Sequence, residues 1–437
     1  MTASHHYHLV GVAGVGMSAL AQALVSAGHR VTGSDRAFDQ GGQSEMNRRL
    51  RLAGVVCCPQ DGSGIDSSTS ALVVSSAIED HNSDLDEAIA KGVPIQHRAD
   101  LLSALVSGSR CIAVTGTSGK STVTGMIGWI LDQAGESPVV INGAPILNWA
   151  DDDRVGNFHA GSSAWSVVEA DESDRSVLKF KPDWGVITNL SRDHFEIEET
   201  RELFDAFKDQ CRVGTISAVH DAELLEELTC RPSETGIVFE LDGERFELGL
   251  AGMHNALNAG MAVKLCEKLD IGLDSIREGL STFQGIERRL QRVGEAGGVT
   301  VYDDYAHNPA KIRAAWTTLA ERHDRIQAVW RPHGFGPLRM MLDDLVETFA
   351  ETCRPCDRLY VLPVYDAGGT ADRSIDSGSL VRRLGDNGVV CETLSADFAQ
   401  TLADQARAGE GILVMGARDP ELPVFARELV RVLAGAV

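Results

Sequence analysis

Residues 110–131 read RCIAVTGTSGKSTVTGMIGWIL, and in them glycines, hydroxyls and one lysine stand close enough together for phosphate chemistry. The apolar run before Gly116 predicts a strand, the small residues Thr117, Ser118 and Gly119 a loop, and Lys120-Ser121-Thr122 the start of an amphipathic helix. Backbone N–H groups of such a loop and of the helix start point at an anion, the lysine adds charge at the outer phosphates, and a serine hydroxyl can ligate Mg2+. Only two residues separate Gly116 from Gly119-Lys120, where the general P-loop has four. The bland alternative is a Gly/Ser-rich turn with no ligand.

Other polar groups fall where strands should end. In WSVVEADES (165–173), Glu169 follows an apolar run, and in WGVITNLSRDH (184–194), Asp193 and His194 do the same. A parallel sheet delivers functional groups at such ends, so Glu169 and His194 are candidate Mg2+ ligands beside phosphates held at Lys120. Taken singly, each is more often an ordinary exposed acid or a hydrogen-bonded histidine. In GMHNALNAGMAVKLCEKLDI, Asn255 and Asn258 stand three apart on one helical face, where their amides could meet an adenine edge or simply cap the helix. Near the N-terminus, strand, glycine turn, helix, strand and Asp35 follow in order, with Gly11, Gly14 and Gly16 placed for close backbone approach to a diphosphate. Ala13 breaks the dinucleotide fingerprint, so this turn alone is weak support for a nicotinamide site.

The elements that must position these groups alternate strand and helix along the chain. ALVVSSAI (71–78) reads as a buried strand, and PIQHRADLL (94–102) as strand then helix. STFQGIERRLQRVGEAGG reads as a hinge, and beyond it VTVYDDYAHNP, RIQAVWRPHGFGP, RLYVLPVYDAGG, VVCETL and GILVMGARDP are five more runs ending in polar clusters. The expected fold class is α/β in three domains: Rossmann-like over 1–107, a P-loop ATPase type over 108–292, and Rossmann-like again over 293–437. A chain of 437 residues suits three domains of about 150 residues each.

Composition narrows the partners. Forty Lys and Arg against 63 Asp and Glu leave a formal charge of −23, which argues against nucleic acid or an anionic membrane. Bound phosphate must then be held by local groups. Nine scattered cysteines, with Cys353 and Cys356 as a lone CxxC, fit a reducing cytoplasm better than a disulfide framework. No uninterrupted apolar stretch reaches the roughly 18 residues of a membrane span, so a cytoplasmic protein is expected.

TGTSGKST, VVEADESD, TNLSRDH, MHNALN, GIERRL, DDYAHNP and MGARD appear in the order in which the Mur ligases carry their equivalents, across the whole chain. The sequence thus resembles that family, and GVAGVGMSALA is similar to its branch that adds L-alanine to UDP-N-acetylmuramate. The resemblance implies an enzyme of peptidoglycan precursor synthesis that couples ATP cleavage to amide-bond formation through an acyl phosphate. The first domain would grip the UDP-sugar, the second bind ATP, and the third bring the amino acid.

Position by position, the resemblance implies that Lys120 bridges the outer phosphates, Ser121 and Glu169 hold one Mg2+, and His194 helps to hold a second. Gly116, Thr117, Gly119, Ser121 and Thr122 would line the ATP cradle, and Asn255 and Asn258 would meet the adenine. Arg289 and Asp304 would meet phosphates and ribose. Gly11, Gly14, Gly16 and Ser18 would face the UDP-sugar, His307 would touch substrate, and His333 would stand among the catalytic groups. Lys208, fourteen residues after His194, matches the spacing of a carbamylated lysine in some members, but an exposed helix lysine is the plainer expectation.

Two departures bear on the acceptor. The segment from Cys211 to Leu250 looks short, as if strands of the central domain were missing. Gly334, Gly336 and Pro337 follow His333 where the L-alanine branch usually carries Arg, Thr or Ser and a second Arg, so the amino acid could differ and the UDP-sugar with it. A ligase recycling a whole murein peptide is the alternative within the family. A nicotinamide-dependent dehydrogenase leaves Lys120, Glu169 and His194 unexplained, and a non-catalytic nucleotide-binding relative would have no need of Lys120, Ser121, Glu169 and His194 together.

Overall fold

The computed structural model describes residues 4–42, 44–78, 81–191, 196–366, 372–385, 388–390 and 394–435. Two compact units divide the chain, Met1–Ile286 and Glu287–Val437.

The first unit holds two parallel sheets and a small antiparallel one. β1 (His6–Val10), β2 (Arg30–Ser34), β3 (Val56–Cys58), β4 (Ala71–Val74) and β5 (Ile95–His97) form a sheet of order β3-β2-β1-β4-β5. β6 (Arg110–Thr115), β7 (Val139–Ile141), β8 (Phe158–His159), β9 (Trp165–Glu169), β10 (Trp184–Ile187) and β11 (Gly214–Ser217) form the next, of order β11-β10-β6-β9-β7-β8, with β8 antiparallel. In both sheets the strand before the glycine turn is central, with its neighbours leading away on either side. That is the switch-point position at which open α/β sheets bind ligands.

The helix Lys120–Gln133 buries Val123, Met126, Ile127, Ile130 and Leu131, a spacing that turns one apolar stripe onto the sheet. It packs in one core with Phe239, Phe246 and Leu280, while Leu20, Leu24, Phe180, Phe204 and Phe207 share a second core that spans the two parallel sheets. The segment from Cys211 to Leu250 carries β11 and then β12 (Thr229–Pro232), β13 (Ile237–Leu241) and β14 (Glu244–Leu248) as an antiparallel sheet. Its β13–β14 turn is Asp242-Gly243, both at positive φ of 52° and 78°, which suits a two-residue hairpin.

The second unit is one sheet of order β15-β16-β20-β17-β18-β19, from β15 (Gln291–Ala296), β16 (Val299–Asp304), β17 (Ile326–Trp330), β18 (Arg358–Val361), β19 (Gly388–Val390) and β20 (Gly411–Met415). Residues 291–296, expected as part of a hinge, instead form the antiparallel edge strand β15, joined to β16 through Gly297-Gly298. Ile326, Ala328 and Trp330 of β17 face one core with Trp316 and Phe349, and Val329 faces another with Phe398 and Phe425. A strand buried on both faces explains why β17 is apolar apart from the buried Gln327.

Candidate functional site

At the end of β6 the chain turns through Gly116 and Gly119, with φ of 134° and 82°. Only glycine takes such angles cheaply, and there is no room for a side chain either. A Cβ on Gly116 would lie 2.0 Å from Thr188 Oγ1, and one on Gly119 2.5 Å from Asn258 Oδ1. The loop is tied to the end of β10, since Thr117 Oγ1 and the Ser118 N–H donate to Asn189 Oδ1 at 2.8 and 2.9 Å. Asn258, the Gly-rich turn and the tip of β10 thus converge.

Lys120 Nζ donates to the Gly116 carbonyl at 2.8 Å and to Glu172 Oε2 at 2.7 Å. Burial alone would pull its pKa down, but Glu172, Glu169 and Asp171 outweigh that and hold it above the usual lysine value. The ammonium is therefore charged and locked between the loop and β9. One residue on, Ser121 Oγ donates to Glu169 Oε2 at 2.7 Å, and the Gly143 N–H donates to the same oxygen at 2.8 Å. Hard oxygens brought together beside a charged lysine are what a divalent cation among phosphates requires, so Ser121 and Glu169 fit Mg2+. Among the described residues no group of three or more His, Cys, Asp or Glu side chains is gathered for a metal. Asp193 and His194 lie outside the described residues. Lys208 is exposed in the last turn of the helix Ile197–Gln210.

Asn255 and Asn258 are buried at the start of the helix Met253–Lys268. Asn255 Nδ2 donates to the Ala251 carbonyl at 2.8 Å and so ties the helix start to the residue before it, while Asn258 faces the phosphate loop. Thr122 is buried in the first turn of its own helix.

The N-terminal glycine turn is built differently. The Gly11 N–H donates to the Ser34 carbonyl at 2.8 Å, and the Ala13 and Ala37 N–H groups donate to Asp35 at 3.0 and 2.9 Å, so that carboxylate holds the turn itself. Gly14 caps the helix Val15–Ser26. A Cβ on Gly16 would lie 3.0 Å from Arg98 Nη1, and Arg98 pairs with Asp171 and Asp174 at 3.3 and 3.7 Å. Ser18 is fully buried. Its hydroxyl donates to the Val15 carbonyl at 3.0 Å and accepts from Asn157 Nδ2 at 2.8 Å.

In the second unit, Asp304 ends β16 and accepts the Leu290 and Ala306 N–H groups. Burial raises its pKa against the pull of Arg289, whose guanidinium lies 5.5 Å from the Tyr305 ring centre. The adjacent Asp303, paired with Arg288 at 3.3 Å, is pushed up to about 6 by burial. His307 Nδ1 donates to the Tyr305 carbonyl at 2.9 Å, and its ring stands 4.8 Å from that of His333, edge to face. Burial, then Arg418 and Lys311, depress the pKa of His333. Cys353 is buried and Cys356 exposed, and both are free thiols.

Lys120, Ser121, Glu169 and Asn258 thus meet at one loop, and His307 meets His333. Glu172, Gly143 and Asn189 complete the first cluster, and Arg98 stands at Gly16; Glu172 and Asn189 lie in motif runs of the sequence, Gly143 and Arg98 were not singled out.

The whole chain can be set against known proteins on this geometry. The family model described as Mur ligase family, catalytic domain, matches residues 6–110; the Mur ligase middle domain matches 114–213; and the Mur ligase, glutamate ligase domain matches 288–418. The chain is 31% identical over 447 residues to a UDP-N-acetylmuramate–L-alanine ligase of Acidobacterium capsulatum, covering 94% of each. It is 32% identical over 456 residues to one of Rhodopseudomonas palustris, again covering 94% of each. Its fold is similar to that of the crystallised UDP-N-acetylmuramate–alanine ligase of Thermotoga maritima, with a TM-score of 0.79 at 24% identity over 99% of this chain and 100% of that one. The murein peptide ligase of Psychrobacter arcticus follows it in fold, with a TM-score of 0.67 at 20% identity over 99% and 100%. With three successive family models along its length and relatives of 31–32% identity over 94% of the chain, the chain belongs to the Mur ligase family.

Proposed function

We propose that this chain joins an amino acid to the carboxylate of UDP-N-acetylmuramate at the expense of ATP, as a cytoplasmic step of peptidoglycan precursor synthesis. The observation that carries the reading is the meeting of Lys120 with the Ser121–Glu169 pair at the end of β6. A carboxylate oxygen attacks the γ-phosphorus of ATP and the bond to the β-phosphate oxygen breaks, giving an acyl phosphate and ADP. The amine nitrogen of the acceptor then attacks the acyl carbon, phosphate leaves, and the nitrogen gives up its proton. Phosphoryl transfer needs mainly positioning and charge stabilisation. Lys120 exchanges Glu172 for phosphate oxygens and follows the charge that develops on the transferred group. Ser121 and Glu169 would hold Mg2+, with His194 as the family resemblance implies, and the bound cation would supply charge neutralisation at the phosphate oxygens. Asn255 and Asn258 take the adenine side, Arg289 and Asp304 the ribose and phosphates, and Gly11, Gly14 and Gly16 the UDP-sugar. His333, with its pKa depressed, is neutral near pH 7 and able to accept the amine's proton, with His307 beside it.

A peptide acceptor is the second reading, favoured by the open space around Gly336, where an added Cβ would meet nothing within 4 Å. The test is phosphate release with ATP, Mg2+ and UDP-N-acetylmuramate against a panel of L-alanine, glycine, L-serine and a murein tripeptide, with products weighed by mass spectrometry. Turnover dependent on UDP-N-acetylmuramate and an amino acid is expected; ATP hydrolysis indifferent to both would overturn the reading.

A further inference from the structure

We infer that Arg418 holds the carboxylate of the acceptor, so that the acceptor is a free α-amino acid; this rests on the ligase reading above. β16, β20 and β17 run parallel with β20 in the middle, so that Asp304, Met415 and Trp330 lie in register at the sheet's carboxyl end. Beyond those ends come Tyr305–His307, Gly416–Arg418 and Arg331–His333. Cations and imidazoles from three strand tips thereby gather at the crevice where such sheets bind ligands. His307 and His333 are in ring contact, and the charges bearing on His333 are those of Arg418 and Lys311.

The backbone at Arg418 is unusual. Its φ is +65°, and the Asp419 N–H donates across it to the Ala417 carbonyl at 2.8 Å, so Arg418 is the centre of a three-residue turn. A turn of this hand is strained for any residue with a Cβ, and glycine would relieve it. The surroundings enforce it. Asp419, 1% exposed, is ion-paired with Arg331 and accepts the Glu421 N–H at 2.9 Å, and the Gly416 N–H donates to the Asp304 carbonyl at 3.1 Å. A strained non-glycine residue held this firmly at a strand tip is a pointer to function.

Arg418 is an exposed residue, and its guanidinium makes no hydrogen bond or ion pair with any described residue. Its neighbours differ in this. Arg331 is committed to Asp419, Arg288 to Asp303, Arg339 to Asp372 at 2.9 Å, and Arg373 to Asp366 at 2.8 Å. The loop after His333 offers no cationic side chain over Gly334–Pro337. With Arg289, beside Tyr305, given to the nucleotide in the proposed function, Arg418 is the guanidinium left to make the paired N–H contacts that a carboxylate accepts. A cation there would serve both steps, since it anchors the acceptor and, added to burial, favours the neutral form of the neighbouring His333. Gly336 leaves room for a side chain on the acceptor.

The experiment compares L-alanine with L-alaninamide, and the best amino acid of the panel with its amide, in the wild-type enzyme, Arg418→Gly and Arg418→Lys. Glycine at this φ keeps the turn, so the thermal midpoint of Arg418→Gly should be equal or higher. Wild type should prefer acid over amide. Arg418→Gly should lose roughly thirtyfold in kcat/KM for the acid, mainly through KM, with the amide and the KM for ATP unchanged. Arg418→Lys, a point charge without the fork, should fall between. An acid preference that survives in Arg418→Gly, or turnover with peptides alone, would overturn the inference. Trapping the acyl phosphate with hydroxylamine, without any amino acid, separates the two readings. If wild type forms no hydroxamate the ligase reading fails; if it does and Arg418→Gly keeps its acid preference, only the role of Arg418 fails.

Discussion

The first unit contains two strand–glycine turn–helix elements that differ in where their positive charge comes from. At the second turn the lysine is residue one of the turn's own helix, and the carboxylates that face it come from the next strand in the sheet. At the first turn no basic residue lies in the turn or its helix. Arg98, from a helix more than eighty residues later in the chain, stands over Gly16 instead. A cation that rides on the loop can follow charge as it moves in a reaction. One lent by a distant element is suited to holding a static anion such as a diphosphate. Under the proposed function the second turn would be the place of chemistry and the first a place of grip.

Lys120→Ala should break the comparison most severely. Removing one cation from a transferring phosphoryl group costs on the order of 3 kcal/mol, a hundredfold or more in kcat. Glu172, left buried without its partner, can take up a proton, so the fold should persist. Circular dichroism and phosphate release check the two halves, and an alanine variant with near-normal turnover would remove the second turn from the chemistry.

Arg98→Ala is expected to act on binding alone. Loss of a charged contact to a diphosphate costs about 1.5–3 kcal/mol, so KM for the UDP-sugar should rise at least about tenfold while kcat and the KM for ATP hold. A fall in kcat with unchanged KM would make the two turns alike. Because Arg98 also pairs with Asp171 and Asp174, Asp174→Asn serves as the control that loosens the pair but keeps the cation.

A smaller effect should come from Glu172→Gln. Under the proposed function ATP would draw Lys120 away from Glu172, a carboxylate 2% exposed and 2.7 Å away. Replacing that charge with a neutral amide weakens the lock, so ATP should bind a few-fold more tightly, by about 1 kcal/mol. Calorimetric titration of ATP into each protein measures it; weaker binding would show that Glu172 helps to hold the nucleotide site open.

The same contrast explains what could be read from the sequence. Residues 116–122 are contiguous, so their strand, loop and helix were legible at once, and Glu169 was legible as the polar residue ending an apolar run. That Lys120 would meet Glu172 depends on β9 lying beside β6, a pairing of residues some fifty positions apart. Arg98 was invisible for the same reason, as one basic residue at a helix start. The stretch 281–298, expected as a hinge from Arg288-Arg289 and its Gly-rich tail, contains the division between the two units after Ile286, while Gly297-Gly298 is a hairpin turn, which a Gly-Gly pair between two runs also marks. The β13–β14 hairpin carries its own signal in Asp242-Gly243.

The smallest expected effect concerns Ser18, which the family resemblance would turn toward the UDP-sugar. Its hydroxyl is fully buried and sits in a chain of amides, donating to Val15 and accepting from Asn157, whose Oδ1 in turn accepts from Gln22 Nε2 at 2.9 Å. Those bonds tie the helix that follows the first glycine turn to the strand-bearing segment around β8, so the residue positions the turn from behind. In Ser18→Ala the Asn157 amide keeps its bond to the Val15 carbonyl at 2.8 Å, and the two hydrogen bonds of the buried hydroxyl are lost, a cost of about 1–3 kcal/mol. The thermal midpoint should fall by a few degrees while the KM for the UDP-sugar stays within about twofold. A severalfold rise in that KM at unchanged stability would mean that the hydroxyl turns to the ligand on binding, and the first turn would then share with the second the habit of exchanging an internal partner for a substrate.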